Sequence, residues 1–462
     1  MARPDVVVAV LAAGHGKRMR SETPKHLHRV AGVPIVERVI RAGIGAGAGR
    51  TLVMVSSALA DLEDRVGPGN FELVVQGPPK GTADTVRQAL ERAPEARWMV
   101  SLLGDNPLLT PEIVRSLLQR AEDTASRVTL LTCVVPDAAS YGRIDRDEQG
   151  RVRRIVERKN DNDACRQGPT EINSGVMVLD AEWARRELAA LNLDETTGEF
   201  LLTDLVEIAV DQATGGGSWP VDTHIADESV SLGVNDRVEL AVADARARAR
   251  KKARLMEAGV TFIGPETTFV DEDVEIGADT IVHPHSILRG RTTIGANCEI
   301  GPAAVLTDAR VGDGAMVSQS TINQSEIGDR SDVGPYAHLR KGCRVGARVH
   351  VGSYVEMKNA LLADGAKCGH VSYLGDVSIG ADANIGAGTI VANFDGVGKH
   401  PTVIGDGAFI GSDSVLVAPV TIGQRARTGA GSVVTRDVPD DTTVLGVPAR
   451  PKSVPAAASS EE

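Results

Sequence analysis

Three absences narrow the field before any motif is read. No apolar run approaches the roughly 18 residues of a membrane span, so no membrane-embedded segment is expected. Positive charge is not in excess: 50 Lys and Arg against 62 Asp and Glu leave a net charge of −12. The chain therefore lacks the electrostatic footprint of a general nucleic-acid or membrane-surface binder. Cysteine is sparse. Cys133, Cys165, Cys298, Cys343 and Cys368 are odd in number, widely scattered and form no CxxC pair. That excludes a disulfide framework and a cysteine-built zinc site and reads as free thiols in a reducing compartment. The start, Met1-Ala2-Arg3-Pro4-Asp5, carries no secretory apolar region, so the expected location is cytoplasmic. Aromatics are also few, at 3%.

What remains is a globular composition of 42% hydrophobic and 24% charged residues over 462 positions. That length suggests two or three domains at about 150–200 residues each. Glycine divides the chain: 22 fall in Met1–Val260 and 27 in the shorter remainder. Two architectures are implied.

The first half alternates strands and helices. Val6–Leu11 is a continuous apolar run, the pattern of a strand buried on both faces, and it ends in Ala12-Ala13-Gly14-His15-Gly16-Lys17-Arg18-Met19. A helix is expected over Pro34–Ala42, and further buried strands at Thr51–Val55, Phe71–Val75 and Trp98–Leu103. Such alternation implies a mainly parallel α/β sheet, with ligands at the carboxyl ends of the strands. Two of those ends carry unusual chemistry: Leu11 into the glycine loop, and Leu103 into Gly104-Asp105. Val234–Ala258 is rich in strong helix formers and stops at Gly259. Its basic run, Arg246 to Arg254, reads as a solvated connecting helix rather than a nucleic-acid arm, given the acidic whole.

The second half repeats. Apolar residues recur every sixth position at Ile276, Val282, Leu288, Ile294, Ile300 and Leu306. The phase slips, resumes from Ile327 to Met357, and returns at Ile379–Val391 and Ile404–Ile422. A hexapeptide period is the signature of a β-helix, with three hexapeptides to a triangular coil and residues eighteen apart stacked. The breaks at Thr307–Glu326, Lys358–Leu361 and Ala392–Val403 are expected to be extruded loops.

The repeat also points to a site. Arg340 and Lys358 stand in the slot where glycine usually sits, eighteen residues apart, so they should stack on coils about 4.8 Å apart. They are either two solvated cations or the walls of a phosphate or carboxylate pocket. His370 follows in the polar stretch Gly369-His370-Val371-Ser372-Tyr373, before Asn384 and Asn393-Phe394-Asp395-Gly396. A histidine suits deprotonation of an amine.

Together these motifs resemble the bifunctional bacterial N-acetylglucosamine-1-phosphate uridyltransferase / glucosamine-1-phosphate N-acetyltransferase family, from Val6 to about Val447. The resemblance implies an α/β Rossmann-like nucleotidyltransferase domain over 1–237, a helical linker over 238–258 and a left-handed parallel β-helix over 259–462. It implies acetyl transfer from acetyl-CoA to glucosamine 1-phosphate. Uridyl transfer from UTP then releases pyrophosphate and gives UDP-N-acetylglucosamine, a precursor of peptidoglycan and lipopolysaccharide. Mg2+, UTP and acetyl-CoA are the implied cofactor and co-substrates, and the implied assembly is a homotrimer that completes the acetyl-transfer site.

Carried over by position, Leu11, Ala12, Ala13, Gly14, Arg18 and Lys25 match the nucleotide loop, with Arg18 and Lys25 as catalytic cations that neutralise charge on the triphosphate, and Gln76, Gly81 and Thr82 match the base-recognition segment. Leu103, Gly104, Asp105 and Asn235 surround the magnesium position, with Asp105 and Asn235 as its ligands; Gly142, Glu157 and Asn173 match sugar contacts. In the second half, His370 matches the general base, with Glu356 as an orienting or charge-stabilising carboxylate. Arg340 and Lys358 match the phosphate pair, Tyr373 and Asn384 the sugar contacts, and Ala387, Asn393, Phe394, Ser412 and Ala430 the acetyl-CoA region. The sequence departs from the family pattern at Lys17, Pro79, Ala83-Asp84, Leu103 and Phe394, and Arg450 is the nearest match to a C-terminal arginine. Two other readings fit the architecture: a related enzyme with another nucleotide or amino sugar, and a non-catalytic scaffold that would not need Arg18, Lys25, Asp105 and His370. The tail from Pro451 is expected to be a disordered end.

Overall fold

The computed structural model describes residues 3–14, 16–67, 69–78, 80–138, 141–157, 169–194, 198–213 and 218–452. His15, Pro79, Arg158, Lys159, Cys165 and the tail from residue 453 lie outside the described residues, as does the side chain of Lys17. The chain forms two compact units, Met1–Ala247 and Arg248–Glu462.

The first unit contains strands β1 (Arg3–Ala12), β2 (Arg29–Val30), β3 (Val33–Pro34), β4 (Ala48–Val55), β5 (Glu72–Val75), β6 (Trp98–Leu103), β7 (Val128–Val135), β8 (Arg143–Arg146), β9 (Val152–Val156), β10 (Thr170–Asp180) and β11 (Val221–Ala226). Its helices are α1 (Ile35–Gly45), α2 (Leu62–Val66), α3 (Thr82–Arg92), α4 (Pro111–Thr124), α5 (Ala181–Ala190) and α6 (Asp204–Asp211); α7 (Arg237–Glu257) belongs to it up to Ala247 and to the second unit from Arg248. The main sheet runs β11-β7-β10-β6-β1-β4-β5. Within it β10 is antiparallel to both neighbours and the other pairs are parallel. Alternation along β1 explains the layering. Val6, Val8 and Val10 enter one core with Val36 and Val39 of α1 and Val114 and Leu117 of α4. Val7 and Ala9 enter the other with Val86 of α3, Trp183 of α5 and Leu205 of α6. Burial on both faces is why β1 reads as an unbroken apolar run.

Helix α7 is less solvated than its basic sequence suggests. Ala243 and Ala247 are buried with Met19, Val30 and Ile35 of the first unit, and Asp244 Oδ1 accepts from Ala31 N at 2.7 Å. In the second unit, Arg248 pairs with Asp271 at 2.8 Å. Lys252 is 8% exposed, and its ammonium donates to Thr268 O at 2.9 Å and to Pro265 O. These cations satisfy groups of the first coil rather than facing water.

The second unit is the expected left-handed β-helix: three sheets of 12, 10 and 9 short strands, parallel except at the last strand. One apolar residue per face points inward, and Val282, Leu288, Ile300, Leu306, Leu339, Val351 and Met357 are fully buried. The stacking interval varies. Val282 pairs with Ile300, eighteen on, but Ile300 pairs with Val317 and Val317 with Val333, seventeen and sixteen on. This corrects two expected loops. Residues 307–326 and 358–361 stay in the coil, with Val311, Val317, Ile322 and Leu362 filling the core; corners shorter by a residue shift the sequence phase without interrupting the wall. Among the described residues of the second unit, only 393–401 leave the wall, and there the interval grows to twenty-five, Ile385 pairing with Ile410. The stack ends at Arg450–Pro451, which turns back antiparallel along Thr443–Leu445.

Candidate active sites

In the first unit, strands β1 and β6 lie side by side and parallel, with Leu11 opposite Leu103. Their carboxyl ends therefore deliver Ala12-Ala13-Gly14 and Gly104-Asp105 to one place. The approach is close: Gly104 N donates to Leu11 O at 2.9 Å, and a Cβ on Gly104 would stand 2.8 Å from that oxygen. Lys25, which is 8% exposed, crosses to this point. Its ammonium donates to Asp105 Oδ2 at 2.5 Å and to Asn235 Oδ1 at 3.2 Å. Asn235 is itself fixed, its N–H donating to Glu239 Oε2 at 2.6 Å. Next to Lys25, His26 is buried, and desolvation, with a smaller contribution from Lys25, lowers it to about 4. It is therefore neutral at physiological pH and adds no charge. Arg18 is exposed.

Gln76 is buried with its backbone N–H on Val55 O at 2.9 Å. Its Oε1 accepts from Thr85 Oγ1 at 3.2 Å, while its Nε2 has no partner. A buried, unpaired amide donor at a strand end is a group that lacks an acceptor from the protein itself. Gly81 and Thr82 open α3 and are held by Leu202 N donating to Thr82 Oγ1 at 3.1 Å. Asp84, where the family differs, pairs within α3 with Arg87 at 2.5 Å and Gln88 at 2.8 Å. It serves the helix's first turn. The sugar-position residues also converge. Asn173 N donates to Gly142 O at 2.9 Å, and a Cβ on Gly142 would stand 3.5 Å from both Glu157 carboxylate oxygens.

The donor set suits Mg2+. Asp105 and Asn235 offer hard oxygens, and one cation, the Lys25 ammonium, already bridges them. Among the described residues, no three His, Cys, Asp or Glu side chains gather into a cage, so any ion here would lean on substrate oxygens.

In the second unit, Leu339 stands opposite Met357, and Arg340 N donates to Met357 O at 2.8 Å. Arg340 and Lys358 therefore do occupy adjacent coils. Sequence reasoning missed their third member, Lys399, because it lies on the extruded loop, outside the repeat. Lys399 lies close to Lys358, and its proximity, followed by the charge of Arg340, holds the Lys358 ammonium below the ordinary lysine range. Three cations beside the two carboxylates of Glu356 and Asp376 leave positive charge in excess, a cluster with room for an anion. Glu356 accepts from Arg340 Nη1 at 3.0 Å, so its observed partner is Arg340 rather than His370.

His370 lies one corner away. Ser353 is opposite His370, and the flanking pairs Cys368 with Ile385 and Tyr373 with Ile390 place Ala387 on the next coil in register with it. The pairs Ile385 with Ile410 and Ile390 with Val415 then put Ser412 above Ala387, and Phe409 with Arg427 and Val415 with Val433 put Ala430 above Ser412. His370, Ala387, Ser412 and Ala430 form one column along a corner, about 4.8 Å per step. Asn384 stands on the neighbouring strand between Lys367 and Phe409. Tyr373 shares its strand with Gly375, beside Lys358. Asn393 is buried at the root of the loop, Phe394 is 59% exposed upon it, and Arg450 is exposed in the terminal strand.

Comparison with known proteins agrees with both halves. Residues 8–161 match the MobA-like NTP transferase domain, 265–360 the GMPPB C-terminal domain, and 401–436 the bacterial transferase hexapeptide (six repeats). The chain is 42% identical over 437 residues to the bifunctional protein GlmU of Brevibacillus brevis, covering 94% of each. It is 41% identical over 442 residues to that of Fervidobacterium nodosum and 40% over 439 to that of Streptococcus suis, covering 95% of this chain and 94% of the relative in both cases. With a nucleotidyltransferase unit, a hexapeptide β-helix and this likeness along nearly its whole length, the chain belongs to the GlmU family of bifunctional proteins.

Proposed function

We propose that the chain makes UDP-N-acetylglucosamine in two steps, one in each unit. The observation that supports this best is the pairing, in one β-helix, of a three-cation anion pocket with a column that runs from His370 through three small residues. A sugar phosphate fits the first and an extended thioester the second.

In the β-helix, Arg340, Lys358 and Lys399 bind the phosphate of glucosamine 1-phosphate, and Tyr373 and Asn384 orient the ring. Acetyl-CoA lies along Ala387, Ser412 and Ala430, where small side chains leave room, with Asn393 and Phe394 at its flank. The sugar amine attacks the thioester carbonyl carbon while His370 takes the amine proton. The C–S bond breaks, the thiolate leaves as CoA, and the new bond is an amide. Tyr336 and Tyr354 stack with ring centres 5.3 Å apart at the corner that continues to Val371, and all three are exposed. A second copy covering that apolar corner would close the site beside His370, in keeping with a homotrimer.

In the first unit, Ala12, Ala13 and Gly14 bring backbone to the nucleotide, Gln76, Gly81 and Thr82 take the uracil, and Gly142, Glu157 and Asn173 take the sugar. Asp105 and Asn235 would hold Mg2+, which supplies charge neutralisation across substrate phosphates. Lys25 leaves their oxygens and, with Arg18, neutralises charge on the triphosphate as the sugar phosphate oxygen attacks the α-phosphorus and pyrophosphate departs. The location in keeping with these substrates is cytoplasmic; no described helix is long and apolar enough to cross a membrane.

The test is pyrophosphate release from UTP and N-acetylglucosamine 1-phosphate with Mg2+, run against ATP, CTP, GTP and dTTP, beside acetyl transfer from acetyl-CoA to glucosamine 1-phosphate. Both activities, with UTP preferred, are expected. Release with another nucleotide, or no acetyl transfer, would refute the assignment for the corresponding unit.

A further inference from the structure

The extruded loop 393–401 carries Lys399, yet loops on a solenoid wall are the least constrained part of it. Something must hold this one. Its root sits over Gly375-Asp376. Asp376 occupies a corner in the left-handed region (φ 51°), and its backbone ties the wall together: Asp376 N donates to Lys358 O, and Thr402 N donates to Asp376 O, both at 3.0 Å. Its carboxylate accepts from two amides on either side, Asn359 Nδ2 at 2.8 Å on the preceding coil and Asn393 Nδ2 at 2.5 Å at the loop root. The preceding glycine makes room for this grip. A Cβ on Gly375 would stand 2.7 Å from both Asn393 Nδ2 and the Tyr373 hydroxyl.

From Asn393 the constraint passes along the loop. Asn393 O accepts from His400 N at 2.8 Å, and Phe394 bridges Lys399 in antiparallel fashion. Inside the loop, Asp395 accepts from Val397 N and Gly398 N at 2.8 Å and from His400 Nε2 at 2.7 Å. These bonds hold its carboxyl well below the usual range. The loop is thus internally braced and joined to the wall through Asn393.

We propose that Asp376 is a positioning residue for acetyl transfer. Its carboxylate fixes the root of loop 393–401 and so holds Lys399 beside Lys358 in the sugar-phosphate pocket. This rests on the reading of that pocket given above. Asp376 touches none of the reacting atoms; it acts through two hydrogen bonds, while its charge also faces the Lys358 ammonium, and moving the carboxylate to position 359 separates the two effects.

Asp376→Gly keeps the corner conformation, since glycine adopts the left-handed region without strain, and removes the acceptor for both amides. Loss of these charge-assisted hydrogen bonds should raise KM for glucosamine 1-phosphate by about tenfold to a hundredfold, with kcat largely kept. The exchange Asn359→Asp with Asp376→Asn restores both hydrogen bonds, because the carboxylate at 359 accepts from the amide at 376, whose oxygen accepts from Asn393. It should return KM close to wild type. An unchanged KM in Asp376→Gly, in a protein whose wild type acetylates glucosamine 1-phosphate, would overturn the positioning role alone. An exchange variant that folds but fails to recover would overturn it in favour of a direct role for the charge at 376. A wild type unable to acetylate glucosamine 1-phosphate would overturn the pocket assignment, and the role with it.

Discussion

Lys25→Met isolates what the ammonium does between Asp105 and Asn235. Methionine keeps the apolar stem and removes the charge. Lys25 is 8% exposed and the Asp105 side chain 20%, so the pair lies between two regimes. Surface pairs are worth about 0–1 kcal/mol, whereas removing one partner of a fully buried pair costs about 3–5 kcal/mol. A loss of about 2 kcal/mol follows for the metal-free protein, and for a unit of this size that lowers Tm by about 4–8 °C. The same change frees both oxygens for Mg2+, which no longer competes with a resident cation. Mg2+ at a hundredfold excess over its Kd then returns about 2.7 kcal/mol, so the Mg2+-induced rise in Tm is larger in the variant than in the wild type. Uridyl transfer falls, because no ammonium remains to meet the triphosphate. Scanning calorimetry with chelator and with Mg2+ reads all but the last. Equal Tm in chelator, or equal Mg2+ shifts in the two proteins, would refute the view that Lys25 stands in for a cation on Asp105 and Asn235.

Three further outcomes are expected. His370→Ala should slow acetyl transfer by about 10²–10⁴-fold and leave uridyl transfer intact; near-normal acetylation in a direct CoA-release assay would remove His370 from the chemistry. Lys358, whose proton affinity is lowered by Lys399 and then Arg340, sheds its proton at lower pH in the folded protein than in the unfolded chain. Between those two values the unfolded state holds more protons, so stability of the ligand-free β-helix should rise with pH there and level off above. Lys399→Ala should flatten that slope in Tm measured at alkaline pH, and a slope unchanged by the variant would count against the cluster. Burial pushes the Cys368 thiol up to about 11, so iodoacetamide should leave it unlabelled until denaturant is added; peptide mapping of labelled native protein checks this, and native labelling would contradict the packing.

How much of this was legible depends on where the repeat holds. Each apolar position noted from Ile276 to Met357 is buried, because a triangular coil admits one inward side chain per face and leaves a six-residue trace. The trace misled where corners shorten: Val311, Val317 and Ile322 continue the wall, although the lost phase there reads as a loop. Lys399 was invisible for the converse reason, since a loop residue has no fixed offset from Arg340 and Lys358. The corner column shows the same effect, because the inserted loop puts Ser412 twenty-five residues after Ala387 instead of the usual interval. In the first unit, Lys25, Asp105 and Asn235 lie far apart in sequence. Only the resemblance joined them before the sheet topology did, and that Gln76 keeps an unpaired amide donor could not be read from sequence at all.

The turned-back strand Arg450–Pro451 has a consequence for assembly. A stack of parallel coils ends in an edge that repeats its own hydrogen-bonding pattern, which is a template for end-to-end polymerisation. Here one end is capped by a helix whose Lys252 donates to the carbonyls of Pro265 and Thr268, and at the other the longest of the three sheets is closed by a strand of opposite direction. The opposite direction breaks the pattern that another molecule's first coil would have to copy. Removing residues 446–452 would expose that edge while the helix keeps the first coil closed, so the chain would gain one open end for pairing and not the two that a growing fibre needs.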